Sequence, residues 1–562
     1  MSEKSLLKKG LIIQHDGTVL LEKIADSGSE LSLKLNRFAQ KVRETEQLVT
    51  FRLTPFTLWQ AAASGMSAKS LLEWLRSHSK FPLTGAFERR VEETINRFGQ
   101  IRLQRRKEHT FALVGASPSI FPQILTHLKR ETVPVPESER AFIFPMHSLG
   151  AVKQACVAAG YPPLDETGFA GGESLSFSLS EHDRFRGLRP YQQDALEAYF
   201  AEGADWYGGG VIVLPCGAGK TVVALAIMQR VGKATLILTP NGTSAKQWVR
   251  EILDKTDLRA DEVGEYTATV KQIRPVTVTT YQMLTHRDGK DASFPHMELL
   301  RSRDFGFVIY DEVHLLPAPV FRLTAEFQAK RRLGLTATLV REDGKEEDVF
   351  SLVGPKLYEG SWKELERNGW ISEAVLREIR IPFDPDWETA YQKADQRQKV
   401  RLAAENPRKI PLIEEIINRH RDEQILIIGQ YLRQLDRISR RYGFPLITGS
   451  MPADKREAWY RQFRQRRIRV LIVSKVANMA VDLPDASVAI QISGTFGSRQ
   501  EEAQRLGRIL RVKETGSKAY FYHLVTKDTV DQEYAWRRQS YLAEQGYRYE
   551  VIDMERECRH VR

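Results

Sequence analysis

The chain has 562 residues, of which 42% are hydrophobic and 28% charged, enough for several separately cored domains of an ordinary globular protein. Its net charge of +11 suits a polyanionic partner, nucleic acid being the commonest, and no apolar run approaches the ~20 residues of a membrane helix, so no membrane association is expected. Cys156, Cys216 and Cys558 lie too far apart for a disulfide framework or a zinc pattern, which points to a reducing compartment. The stretch from Met1 to Gly10 is polar, with paired Lys8 and Lys9, and reads as no signal peptide.

Residues 11–22 predict a hairpin: Leu11-Ile12-Ile13 and Thr18-Val19-Leu20-Leu21 flank Asp16-Gly17, a turn pair that tolerates positive φ. Residues 54–130 read as mainly helical. Ser67 is placed to cap a helix bearing Leu71, Leu72, Trp74 and Leu75, and Thr84 to cap another bearing Phe87, Val91, Ile95 and Phe98. Two short strands follow, Ile101-Arg102-Leu103-Gln104 and Phe111-Ala112-Leu113-Val114, and helices followed by such a ribbon predict a small α+β module of winged-helix type over residues 1–130. Pro134, Pro136 and the charges from Glu137 to Arg140 mark a boundary. A shorter segment, 131–185, ends in a polar linker.

From Leu188 the texture changes. Short apolar runs alternate with helical segments: Val211 to Leu214, Thr235 to Leu238, Val276 to Val278, Phe307 to Tyr310 and Arg332 to Leu335. A second series holds Ile425 to Ile428, Pro445 to Ile447, Val470 to Val473, Val488 to Ile492 and Tyr520 to Tyr522. Nearly continuous apolar strands between helices belong to parallel sheets covered on both faces, and two series mean two α/β domains in tandem.

The run Leu214-Pro215-Cys216-Gly217-Ala218-Gly219-Lys220-Thr221 follows a strand and opens a helix. A phosphate-binding loop needs small residues so that backbone N–H groups converge on phosphate oxygens, and Gly217, Ala218 and Gly219 supply them. Lys220 would reach the β- and γ-phosphates of ATP and Thr221 would hold Mg²⁺. Leu214 stands where the strict pattern has glycine, and a plain glycine turn is the bland alternative. Asp311-Glu312-Val313-His314 ends a later apolar strand, where a P-loop ATPase carries its acidic pair. Asp311 would hold Mg²⁺ through water, and Glu312 would orient and deprotonate the attacking water. Thr336 and Thr338, after the next strand, are placed to sense the nucleotide; an ordinary turn would look the same. In Gln504-Arg505-Leu506-Gly507-Arg508-Ile509-Leu510-Arg511, Arg508 and Arg511 share a helical face that could meet the γ-phosphate, and a solvated basic helix is the alternative.

These motifs, in this order, resemble superfamily 2 helicases, and their wording is most similar to the XPB family: LPCGAGKT, DEVH, GLTATLVREDG, SKVANMAVDLPDA and GSRQEEAQRLGRILR, over about residues 186–548. The TVLLE hairpin, Leu53-Thr54-Pro55 and Leu58-Trp59 extend a weaker similarity into the N-terminal third. The resemblance implies two RecA-like domains, 186–369 and 370–548, the second with a thumb-like insertion at about 384–409. It also implies a damage-recognition-like segment at 131–185, and a tail is left at 549–562. It implies that Arg189 and Gln192 read adenine, and that Asn241, Gln247, Trp248, Thr279, Thr280 and Tyr281 contact DNA phosphates. Ser474, Lys475 and Asp482 would join DNA to ATP, and Arg341-Glu342-Asp343 would serve unwinding. The implied activity is ATP-driven 3′→5′ translocation and unwinding of DNA in nucleotide excision repair. The resemblance is to the prokaryotic members: a cytoplasmic, nucleoid-associated monomer, with a nuclease as a possible partner. A duplex translocase that leaves strands paired, an RNA helicase and an ATP-gated clamp carry the same motor chemistry and stay open on the residues alone.

Overall fold

The computed structural model describes residues 10–22, 30–35, 38–44, 47–107, 109–128, 132–167, 172–181, 185–200, 209–286, 295–296, 300, 303–316, 329, 331–337, 349, 352–354, 356–474, 486–494, 502, 505–507, 509–510 and 518–554. They fall into two compact units, Met1–Leu214 with Gly219–Gly360, and Ser361–Arg562 with Pro215–Ala218. Among the described residues no helix is long and apolar enough to cross a membrane.

The first unit opens with an antiparallel sheet of β1 (Leu11–Ile13), β2 (Thr18–Glu22), β3 (Gln40–Glu44) and β4 (Leu48–Arg52), in the order β1-β2-β4-β3. The expected hairpin is β1–β2. Its Gly17 sits at φ +95°, and a Cβ there would stand 2.7 Å from the Leu53 carbonyl oxygen, so the turn requires glycine. Helices Pro55–Ala63, Ala68–His78 and Gly85–Arg97 cover one face of this sheet, burying Leu58, Leu71, Leu75, Phe87 and Val91 against Val19, Leu21 and Phe51. Thr54, Ser67 and Thr84 cap them by accepting from the N–H of Thr57, Ser70 and Phe87, each cap worth about 1 kcal/mol.

The two strands expected after these helices do form, as β5 (Ile101–Arg105) and β6 (Thr110–Gly115), but not as an isolated ribbon on the helices. They continue into β7 (Val135–Ser138), β8 (Ala141–Pro145) and β9 (Leu164–Glu166), giving a five-stranded sheet in the order β7-β8-β6-β5-β9. The proline-rich stretch expected to be a boundary is therefore the edge strand β7, and the sheet runs across residue 130. Proline suits an edge, where the missing N–H faces no neighbour. Helix Leu149–Ala158 closes this core with Val152 and Cys156 against Leu103, Phe111 and Phe144.

Seven parallel strands complete the unit: β10 (Gly209–Val213), β11 (Thr235–Thr239), β12 (Val263–Tyr266), β13 (Val276–Thr280), β14 (Phe307–Asp311), β15 (Arg331–Thr336) and β16 (Lys356–Glu359), in the order β12-β13-β11-β14-β15-β10-β16. The second unit has seven more: β17 (Ala374–Ile381), β18 (Ile425–Gly429), β19 (Leu446–Ile447), β20 (Val470–Ser474), β21 (Val488–Gln491), β22 (Ala519–Thr526) and β23 (Tyr549–Asp553), in the order β19-β20-β18-β21-β22-β17-β23. Each strand of the second sheet holds the place of the strand seven numbers earlier in the first. The chain thus builds the same doubly wound RecA-like sheet twice, with smaller N-terminal sheets beside the first. Strands β10, β11, β13, β18 and β20 are buried at every position, as sheets covered on both faces require. The sequence pattern misses β12, β16, β17 and β23. Each lies at or next to a sheet edge and carries charge, as in Arg377, Glu378 and Arg380 of β17. The expected tail is corrected in its first part: residues Tyr549–Asp553 are β23, paired with β17.

Behind the second sheet lies a buried polar network. Lys409 Nζ donates to Asp531 Oδ2 at 2.8 Å and to the Ile492 carbonyl at 3.0 Å. Arg505 Nη1 reaches Gln491 Oε1 at 2.8 Å, and Gln491 Nε2 reaches Glu502 Oε2 at 3.0 Å. Arg538 Nη2 lies 2.8 Å from His523 Nε2, and the Tyr549 hydroxyl donates to Glu502 at 3.2 Å. Burial, then the charges of Arg538, Lys409 and Arg505, hold His523 well below the ordinary imidazole range, so the folded ring is neutral. The unfolded ring takes a proton below about pH 6.5, and from there stability falls by up to about 1.4 kcal/mol per pH unit for that one group. His523→Gln should therefore lose less melting temperature than the parent between pH 7 and pH 5, whatever its value at pH 7. Equal acid slopes in the two proteins would remove His523 from the account.

Candidate active site

Lys220, Thr221, Asp311, Glu312, His314 and Thr336 stand at or beyond the carboxyl end of a strand, where parallel α/β sheets bind ligands. Strand β10 runs into Leu214, whose N–H donates to the Thr336 carbonyl at the end of β15 (3.0 Å). The loop then turns through Gly217 and Gly219, at φ +82° and +78°, and helix Lys220–Val231 begins. A Cβ on Gly219 would lie 2.4 Å from Gln192 Nε2. Gln192 is itself buried, its Oε1 accepting from the Arg189 N–H at 2.9 Å, so the expected adenine-reading segment packs against the expected phosphate loop. Pro215 and Ala218 are buried, Cys216, Lys220 and Thr221 half-buried, and Gly217 exposed.

Lys220 Nζ donates to Glu312 Oε1 at 2.9 Å, with both side chains largely shielded. Glu312 follows β14 with a left-handed backbone (φ +48°), a strained conformation for a residue with a Cβ. Its N–H donates to Asp311 Oδ1 at 3.0 Å, and its Oε2 lies 3.4 Å from His314 Nδ1. His314, also buried, shares a 2.7 Å hydrogen bond with Thr336 Oγ1. Burial and the neighbouring Glu312 carboxylate push Asp311 up to about 6, and Lys220, the Trp248 indole and the Glu312 N–H pull it back.

The residues present fit a magnesium–nucleotide. A loop whose glycine has no space for a Cβ, a helix N-terminus and a lysine already holding an anion suit phosphate. The hydroxyl of Thr221 and the carboxylate of Asp311 are the hard oxygen donors that Mg²⁺ takes beside phosphate. Among the described residues no group of three or more His, Cys, Asp or Glu side chains could hold a metal by itself.

Several residues expected at DNA are engaged within the protein. Asn241 is spent as a helix cap, its Oδ1 accepting from Thr243 and Ser244 N–H at 3.0 Å each, and Gln247 is half-buried on the same helix, Gly242–Lys255. Thr279 is fully buried, and Thr280 caps helix Tyr281–Thr285. Trp248 and Tyr281 point inward: the indole N–H donates to Asp311 Oδ2 at 2.9 Å, and the phenol donates to the Asp311 carbonyl at 2.7 Å. The side chains of Asn241, Thr280, Trp248 and Tyr281 thus make hydrogen bonds within the protein. For Trp248 the signal was present in the sequence, since Ala245, Trp248 and Ile252 fall at i, i+3 and i+7 of an amphipathic helix and are its buried residues. Ser474 ends β20 in the second unit and is buried. Thr338, Arg341, Glu342, Asp343, Lys475, Asp482, Gln504, Arg508 and Arg511 lie outside the described residues. Sequence reasoning missed Glu502 and Arg505, which the network above ties to Gln491 and Tyr549.

Gly219→Ala would put a methyl group at a left-handed residue and against Gln192. We expect turnover of ATP to fall at least about tenfold, because the loop must open to relieve a contact that no Cβ tolerates. Steady-state ATPase measurements decide it, and turnover within twofold of the parent would show that the loop has slack.

Three family descriptions match the chain: the ERCC3/RAD25/XPB C-terminal helicase over residues 365–561, the type III restriction enzyme res subunit over residues 186–341, and a helicase conserved C-terminal domain over residues 11–138. The chain is 44% identical to the DNA 3′-5′ helicase XPB of Mycobacterium tuberculosis, with 97% of each chain covered. It is 43% identical to the protein of the same name from Kineococcus radiotolerans, over 97% of this chain and 96% of that one. With the general transcription and DNA repair factor IIH helicase/translocase subunit XPB of Antonospora locustae the identity is 33%, over 96% of this chain and 81% of that one. An ATPase-type loop and acidic pair on a doubled parallel sheet, together with this similarity along the whole chain, settle the relationship: the chain belongs to the XPB/Rad25 family of helicases.

Proposed function

We propose that the chain hydrolyses ATP at the Lys220–Asp311–Glu312 site and uses the cycle to travel 3′→5′ on DNA and separate its strands, in nucleotide excision repair. The observation that carries the reading is the Lys220–Glu312 bond at the mouth of the first parallel sheet, which pairs the loop lysine with the second carboxylate of the acidic box. Similarity to DNA 3′-5′ helicases over 97% of the chain supports the polarity and the nucleic acid, and the repair factor named among the relatives supports the pathway. On this reading the chain works in the cytoplasm as a monomer. Residues 186–369 and 370–548 are the two motor domains, and helices Pro385–Lys393 and Gln396–Ala404 form the thumb-like insertion.

In this mechanism Gln192 and Arg189 hold the base, and Gly217, Ala218 and Gly219 present backbone N–H groups to phosphate oxygens. Lys220 leaves Glu312 for the β- and γ-phosphates, which releases Glu312 to orient the attacking water and take its proton. Thr221 and Asp311 would hold Mg²⁺, which would neutralise charge on the phosphates. His314 packs beside Glu312 and hydrogen-bonds Thr336, so that a change at Glu312 is felt at the segment leading to Arg341, Glu342 and Asp343. Arg508 and Arg511 stabilise charge developing in the loose transition state. Ser474, Lys475 and Asp482 tie DNA to that event.

Lys220→Ala should lower ATP turnover by about 10²–10³, or ~3–4 kcal/mol of transition-state stabilisation. Turnover is to be measured beside the parent with single-stranded, duplex and forked DNA and with RNA. Parent-like turnover in a folded Lys220→Ala protein would end the ATP-site reading, and stimulation by RNA alone would end the DNA reading. Replacing Arg341, Glu342 and Asp343 together by Ala should cost DNA-stimulated ATPase less than ~10-fold while strand separation falls much further. A proportional loss of both rates on one forked substrate would deny the trio a separate part in opening DNA.

One relative bears the name helicase/translocase, which favours a second reading: pumping of duplex without strand separation. Strand-displacement and triplex-displacement assays run together separate the two, since only the duplex pump strips a triplex while leaving a fork closed.

A further inference from the structure

Asp311 is gripped from three directions. Its two carboxylate oxygens each accept one donor, Oδ1 from the Glu312 N–H at 3.0 Å and Oδ2 from Trp248 Nε1 at 2.9 Å. Its main-chain carbonyl accepts the Tyr281 hydroxyl at 2.7 Å. A carboxylate bonded through both oxygens to donors on different segments cannot rotate about its own axis without breaking one of them. Trp248 and Tyr281 are only 4% and 3% exposed, so neither side chain is available to a phosphate backbone. A buried indole N–H has no role except to donate, and the acceptor it has found is an ionisable one.

We propose that Trp248 and Tyr281 are positioning residues for Asp311: they aim the carboxylate that holds the nucleotide's magnesium, and through them the elements bearing Asn241 and Thr280 set its direction. The proposal rests on the ATP-site reading above. It gives these two segments a mechanical part in place of the phosphate contact that their sequence suggests. Helix Gly242–Lys255 begins at the half-buried Asn241 cap and carries Trp248 on its inner face, while Thr280 caps the helix that opens with Tyr281. A shift of either element moves a donor on Asp311.

The test uses the full chain with Trp248→Phe, which keeps an aromatic ring and removes the N–H, and Tyr281→Phe, which removes one oxygen. Three quantities are read: affinity for a fluorescent ADP analogue with Mg²⁺ and with EDTA, the Mg²⁺ concentration that half-saturates ATP turnover, and affinity for a forked oligonucleotide. A hydrogen bond to a charged group lost in Trp248→Phe should raise the half-saturating Mg²⁺ and lower kcat by roughly tenfold each. Analogue affinity should fall only when Mg²⁺ is present, and fork affinity should stay within twofold. Tyr281→Phe should move the same readings less far. Weakened fork binding at an unchanged Mg²⁺ requirement would overturn the proposal and make Trp248 a nucleic-acid residue. An unchanged Mg²⁺ requirement with unchanged fork binding would overturn it too, leaving only packing. If Trp248→Phe fails to fold, Tyr281→Phe decides on the same three readings. Asp311→Asn separates this from a failure of the underlying reading: parent-like turnover there would show that the ATP site itself is misassigned.

Discussion

Two adjacent acidic side chains, Asp311 and Glu312, sit at the end of a buried strand, with Lys220, the first residue of helix Lys220–Val231, bonded to the second. Removing two carboxylates from water is costly, and their mutual repulsion adds to the cost. The surrounding structure offsets it donor by donor. Lys220 takes one oxygen of Glu312, the Glu312 N–H and the Trp248 indole take the two of Asp311, and His314 lies against the other oxygen of Glu312. The left-handed backbone at Glu312 is part of the same solution, since it turns the second carboxylate toward the lysine instead of letting the strand continue. The consequence is a lysine and two carboxylates held in fixed register at the end of one sheet.

The doubly wound sheet makes such a site possible because it brings the ends of β10, β11, β13, β14 and β15 to one edge. Residues far apart in the chain then meet at hydrogen-bond distance: Gln192 and Gly219, Lys220 and Glu312, Trp248 and Asp311, His314 and Thr336. The second unit repeats the strand order and uses its interior differently. There the charged groups turn inward, and Lys409, Glu502, Arg505, Asp531 and Arg538 lie in one network behind β21 and β22. Breaking one partner of such a network leaves an uncompensated buried charge, which is strongly destabilising.

Much of this was legible in the residues. Alternating apolar runs and helices give two parallel sheets, because a strand covered on both faces must be apolar at nearly every position. Gly217, Gly219, Lys220 and the pair Asp311-Glu312 point to a phosphate site in the sequence, and the fold brings Lys220 and Glu312 together at strand ends. Thr54 escaped notice as a cap, while Ser67 and Thr84 did not, and the difference lies in Pro55, which reads as a break until its place in the first helical turn is seen. What the tertiary structure decided is which partner each polar group finds. Trp248 and Tyr281, on two different helices, are buried donors on Asp311, a partner that only the folded chain reveals. Strands β12, β16, β17 and β23 break the continuous apolar pattern with charged residues, and the neighbouring strand supplies the hydrogen bonds that make them strands. Local sequence determines propensity and the chemistry on offer; the choice of a hydrogen-bond partner across a sheet is a long-range event, and only the folded chain makes it.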